Sequence, residues 1–233
     1  MKKTRRLHVI ATIGFMALGA LSLASNCRTQ PSPVAAGVAS EGIGDFWWRS
    51  SAGLVTITSF LGTATSVEIP SEMEEMPVTR IGARSFAARR LTNVTMPSGV
   101  THVEEYAFAF NRLTGVVIPA SVLQIGDNAF ANNQLTRVVI PNSVVHVGNG
   151  AFANNPRVTE IIVGDGIGLL YEGAFENSLR HARISIGANV ELHSSRPSSL
   201  VWTGFRAAYE ANGHRAGIYT LNPNTGLWGW QPR

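Results

Sequence analysis

Charge and sulfur are scarce in this 233-residue sequence: Asp, Glu, Lys and Arg together make 15% of it, and Cys27 is the single cysteine. A disulfide within the chain is therefore excluded. No apolar run after residue 25 reaches the roughly 18 residues a membrane helix needs. The 23 glycines and 11 prolines are more than long helices tolerate, so an all-α bundle is excluded as well. Catalytic signatures are missing too: there is no G-x-S-x-G, no S-x-x-K and no H-E-x-x-H, and the sequence predicts no enzyme and no cofactor. No lysine follows Lys3. What is present is a hydrophobic fraction of 45%, enough for a substantial core.

The formal net charge of +4 is concentrated at the start, in Lys2, Lys3, Arg5 and Arg6. These open a signal peptide over 1–26, with Val9 to Ala20 as its apolar stretch and the small residues of LSLAS after it. Thr4-Arg5-Arg6-Leu7 has a superficial likeness to a twin-arginine export signal, although paired basic residues are common in any such leader. Removing the leader takes away four basic and no acidic residues. The 19 basic residues become 15, which balance 15 acidic ones, and nucleic acid is excluded as a partner because nothing supplies excess positive charge. Cys27 follows Leu23-Ala24-Ser25-Asn26, which resembles the lipobox of bacterial lipoproteins, whose cysteine becomes the lipidated first residue. Asn26 departs from the usual Gly, Ala or Ser there, a position at which spirochaetal lipoproteins are looser. The alternative is ordinary cleavage near Ala24 or Asn26 that leaves Cys27 a free thiol. Residues 27–42 then read as a flexible tether to a membrane.

An internal repeat dominates the rest. Phe86, Phe108, Phe130, Phe152 and Phe175 recur every 22 and then 23 residues, in step with Leu91, Leu113, Leu135 and Val158. Residues 81–192 form five such units. An incomplete unit within 43–80, broken by the insertion Glu72 to Pro77, reads as an N-terminal cap. One unit cannot bury its apolar face until neighbours stack on it, so the repeats predict a solenoid that folds as one body. Within a unit, LTGVVIPASV follows L-x-x-V-x-I-x-x-x-V, the leucine-rich-repeat pattern. About six parallel strands are expected on one face and short turns or 3₁₀ segments on the other.

The wording A-F-x-x-N followed by L-T-x-V-x-I-P-x-S-V resembles the BspA-like, or treponemal-type, leucine-rich repeat of bacterial surface and lipoprotein antigens. The resemblance covers roughly residues 54 to 192. It implies a solenoid that binds other proteins or host surfaces, with no catalytic residues to carry over. The sequence departs from it in lacking the frequent repeat cysteine, with Asn111, Asn133 and Asn155 or their neighbours in its place.

Strand alternation sends Val94, Met96, Val116, Ile118, Val138, Ile140, Ile161 and Val163 inward. Two rows then point outward: Thr95, Val117, Val139, Ile162 and Ser185, and beside them Asn93, Gly115, Arg137, Glu160 and Arg183. The apolar centre of the first row predicts a binding face for a protein partner or host-surface ligand; the alternative is a homo-oligomer, a self-associating scaffold of the cell envelope. β-branched residues also favour strands whichever way they face. Export and a lipid on Cys27 place the expected protein in the periplasm or on the cell surface, membrane-anchored. Residues 193–233 carry Trp202, Phe205, Tyr209, Tyr219, Trp228 and Trp230 and read as a helix-plus-hairpin cap, with sugar stacking on Trp228 and Trp230 as the alternative. Ser198-Ser199 would start the helix and Gly213 end it. His102 and His146 lie two units apart, roughly 10 Å on stacked strands, too far for one metal. His181, His193 and His214 lack ligand spacing, and Asp127 and Asp165 lack a paired carboxylate, so no metal site is expected.

Overall fold

The computed structural model describes residues 40–179, 183–188, 190–193, 200–222 and 224–233. The leader, Cys27, most of the tether, His181 and Ser198-Ser199 lie outside the described residues. The described residues open with an antiparallel meander, Ser40–Ile43, Phe46–Ser51 and Leu54–Phe60. From Leu54–Phe60 onward the pairing is parallel, through Met76–Ile81, His102–Val103, Gln124–Ile125, His146–Val147, Leu169–Tyr171 and Glu191–His193. The insertion after Pro70 is a tight hairpin, Glu72–Met73 against Met76–Ile81, turning through Glu74 and Glu75 at positive φ.

Phenylalanine explains why the coils stack. Phe60, Phe86, Phe108, Phe130, Phe152 and Phe175 form one column with ring centroids 5.1–5.5 Å apart and interplanar angles of 7–21°. All are at most 2% exposed, and each carries a large apolar area out of water. Beside this column runs a polar one. Asn133 Oδ1 accepts the Leu113 N–H at 3.0 Å while its Nδ2 donates to the Phe108 and Phe130 carbonyls at 3.0 and 3.1 Å. Asn111 and Asn155 repeat this arrangement, and Ser178 ends it by donating to the Phe152 carbonyl at 2.8 Å. These asparagines thus hold buried backbone groups that would otherwise lack partners.

The L-x-x-V-x-I segments form the second set of parallel strands, in two groups. Ser66–Glu68 pairs with Asn93–Thr95, and Arg137–Ile140, Glu160–Val163 and Arg183–Ile186 pair in order. Residues 115–118 between the two groups join neither ladder. Gly115 accounts for the gap. Its counterparts tie adjacent strands through their side chains, Asn93 to Ser66 at 3.2 Å and Arg137 to Glu160 at 2.7 Å, whereas glycine has nothing to offer across the strand.

The turns between strands are irregular, with one 3₁₀ segment, Glu172–Phe175, among the described residues. The helix Leu200–Ala211 closes the C-terminal end and stops at Gly213, φ +67°, where the His214 N–H reaches the Tyr209 carbonyl at 3.0 Å and the Gly213 N–H that of Glu210 at 2.9 Å. The hairpin Gly217–Leu221 and Trp228–Gln231 follows.

Candidate interaction faces

On the Arg137–Ile140, Glu160–Val163 and Arg183–Ile186 strands, alternation places Val138, Ile140, Ile161, Val163, Ile184 and Ile186 in the core. The residues between them face outward in register. Arg137, Glu160 and Arg183 lie side by side, with Arg137 Nε 2.7 Å from one carboxylate oxygen of Glu160 and Arg183 Nη2 2.8 Å from the other. Hydrogen bonds first from Arg183 and then from Arg137 hold the Glu160 carboxyl below the ordinary glutamate range. The next row is Val139, Ile162 and Ser185. Val139 is 37% exposed and Ile162 half-buried, while Val117, in the segment outside the ladder, is 82% exposed. Asn93 and Thr95 are exposed on the separate two-stranded piece, Thr95 opposite Glu68. The predicted row is therefore brought together from Val139 to Ser185, and not across Gly115 to Thr95.

The C-terminal hairpin does more than cover an end. Gly217–Leu221 pairs antiparallel with Arg183–Ile186, so Ser185 is continued by Ile218 and then Gln231. Tyr219 sits opposite Ile184 in the core, and its hydroxyl donates to the Arg215 carbonyl at 3.1 Å. Trp228 packs edge-on against Phe205, centroids 5.3 Å apart, which makes it part of the cap; Trp230 remains 38% exposed and lies so close over Gly217 that any side chain there would strike its ring. Arg233 closes this end of the face, 2.8 Å from Asp165 and 3.1 Å from the Ser185 hydroxyl. Sequence reasoning placed a hairpin here and missed its pairing with Arg183–Ile186.

A second outward row, also unforeseen, follows the short strands: Arg80, His102, Gln124, His146, Leu169 and Glu191 occupy successive rungs. With Glu104 and Asp127 the first four line a shallow groove of about 330 Å³. Arg80 pairs with Glu104 at 3.3 Å, and a His102 ring nitrogen lies 2.8 Å from the Thr101 hydroxyl. Burial, then Arg80, push the His102 pKa down against a weaker opposing effect of Glu104. His102 and His146 are separated by the Gln124 strand, about 9.6 Å at standard strand spacing, and the described residues hold no group of His, Cys, Asp or Glu able to take a metal. His146 and His193 instead contact the Tyr171 ring edge-on, at 5.8 and 5.2 Å, and His214 stacks on Tyr209 at 5.1 Å. Asp127 Oδ1 accepts the Asn149 N–H at 2.8 Å.

The sequence pattern of the BspA type leucine rich repeat region matches residues 60–194 in six copies. No curated protein matches by sequence. Among solved structures, the leucine rich repeat protein of T. pallidum, TpLRR, is 24% identical, with a TM-score of 0.50 over 65% of this chain and 81% of that one. The pneumococcal vaccine antigen PcpA is 15% identical, with a TM-score of 0.51 over 67% of this chain and 48% of that one, so the matched part is about half of PcpA. Both likenesses establish the fold. No described helix is long and apolar enough to cross a membrane.

Proposed function

Because the chain belongs to the BspA type leucine-rich-repeat family, whose solenoids are typically protein-binding or surface modules, we propose that it is an exported, lipid-anchored binding module. It takes a protein partner or host-surface ligand on the face bearing Val117, Val139 and Ile162. The observation that carries this reading is the exposure of Val117 and Val139, with Ile162 half-buried, beside the Arg137–Glu160–Arg183 ion pairs. A patch of that kind gains by being covered. The leader and Cys27 supply the anchor, and the balanced charge of the rest argues against nucleic acid.

Val139→Glu tests the face. It leaves Val138 and Ile140 in the core, so the circular dichroism spectrum and melting temperature should stay those of the wild type while partner capture on the intact cell surface is lost. Light scattering on the pure protein separates a foreign partner from a second copy: concentration-dependent association abolished by the same change assigns the face to self-assembly. Unchanged capture by a folded Val139→Glu protein removes this face from the function. Cys27→Ser should release the protein into the soluble fraction, and a wild type without added lipid mass rejects the anchor.

A further inference from the structure

We infer that the turn side of the first two repeats is a binding site for acidic polysaccharide, formed by Arg84, Arg90, Tyr106, Phe110 and Arg112. The second, third and fourth coils each turn through two residues at positive φ, and the first through three, with Arg90 at 61° in addition. The first position is Arg84 at 58°, Tyr106 at 55°, Asn128 at 55° and Gly150 at 66°; the second is Ala88 at 56°, Phe110 at 59°, Asn132 at 57° and Asn154 at 56°. Left-handed backbone suits glycine and asparagine and disfavours bulky side chains. The third and fourth repeats follow that preference, and the second places an aromatic residue at both positions. Burial does not offset the cost at Phe110, which is 54% exposed, while Tyr106 is half-buried. Strain kept at a solvent-facing position points to use.

The two rings are nearly parallel, 5° apart with centroids separated by 6.5 Å, and the Arg84 guanidinium lies 5.1 Å over Tyr106. Arg90 and Arg112 occupy equivalent positions one coil apart, where the Arg112 N–H donates to the Leu91 carbonyl at 2.8 Å. Both are exposed, and neither takes part in an ion pair among the described residues. Glu105, 3.6 Å from Arg84, is the carboxylate at this corner. Flat rings take the C–H face of a sugar, and guanidinium groups take carboxylate or sulfate in fork geometry. An acidic peptide finds less here: the Ala88, Phe110 and Asn132 N–H groups are committed to the carbonyls of the next coil, so the turn side offers no strand edge.

The test is calorimetric titration of the full-length protein with heparin fragments, with neutral dextran and poly-glutamate as comparators. Tyr106→Asn with Phe110→Asn installs what the third repeat carries, Asn128 and Asn132, so the variant should melt at or above the wild-type temperature. It should bind heparin about tenfold more weakly, the size expected from losing two ring contacts. Arg90→Gln with Arg112→Gln, which brings in the residue type that Gln134 supplies to the third repeat, should weaken heparin binding and leave folding alone. Val139→Glu should leave heparin binding intact, which keeps this result separate from that of the sheet face. The proposal is overturned if the wild type does not bind heparin, if the asparagine variant binds it as well as the wild type, or if poly-glutamate is held as tightly.

Discussion

The two parallel ladders of this solenoid are built from sequences of unequal quality, and the poorer one is the more continuous. The segments rich in Val and Ile, Arg137–Ile140 and its equivalents, break at Gly115, while rungs as short as His102–Val103 and Gln124–Ile125 run unbroken from Leu54–Phe60 to Glu191–His193. The short rungs are set by backbone. After each proline a tight turn forms, with Val100, Val122 and Val144 N–H groups donating to the Pro97, Pro119 and Pro141 carbonyls at 3.2, 3.0 and 3.1 Å. Main-chain bonds such as Gly126 N–H to Val103 carbonyl, 2.7 Å, and Gly148 N–H to Ile125 carbonyl, 2.8 Å, then join successive coils. The longer strands lean on side-chain partners across the row, and one glycine suffices to interrupt them. The face that varies without breaking the solenoid is therefore the one on which recognition can be written.

That contrast is broken most severely by removing what both ladders stand on. Phe130→Ala empties the centre of the phenylalanine column and should cost about 3–5 kcal/mol in denaturant unfolding, with loss of amide protection on both faces. Asn133→Ala should cost less, about 1–3 kcal/mol, because it leaves the buried Leu113 N–H without its acceptor, while the Phe108 and Phe130 carbonyls keep Asn111 and Asn155 as donors. A smaller change sharpens the comparison: a Cβ at Gly115 would meet no atom within 4 Å, and Gly115→Thr should stabilise by about 0.5–1 kcal/mol. Hydrogen exchange should slow at Val116 and Ile118 as the gap in the ladder closes. Smallest in stability is Val139→Glu, within about 0.5 kcal/mol, since it alters an outward side chain whose neighbours stay buried.

The phenylalanine column was legible because a fixed period leaves each Phe no other place than on top of the last one. The inward residues of the L-x-x-V-x-I segments were legible for the same reason, and Val138, Ile140, Ile161 and Val163 are all buried. The asparagine column was harder to read: Asn111, Asn133 and Asn155 look like a departure from a cysteine pattern until the carbonyls around them are seen. The second ladder has strands of two residues, too short for alternation to declare itself. Of the predicted face, Arg137, Glu160, Arg183, Val139, Ile162 and Ser185 are in register, and Thr95 and Asn93 belong to another piece of sheet.

By itself the sequence determined the architecture, since a 22-residue unit with one apolar face has no stable state except stacked on its own kind. It determined the core, and which residues could face water. Tertiary structure decided how far each sheet runs, because a ladder continues only where the neighbouring coil offers a partner. It decided too that the C-terminal hairpin lies antiparallel along Arg183–Ile186, with Ile218 carrying the outward row onward from Ser185. Pairing between segments more than thirty residues apart depends on where the intervening helix returns the chain, and no local pattern contains that information.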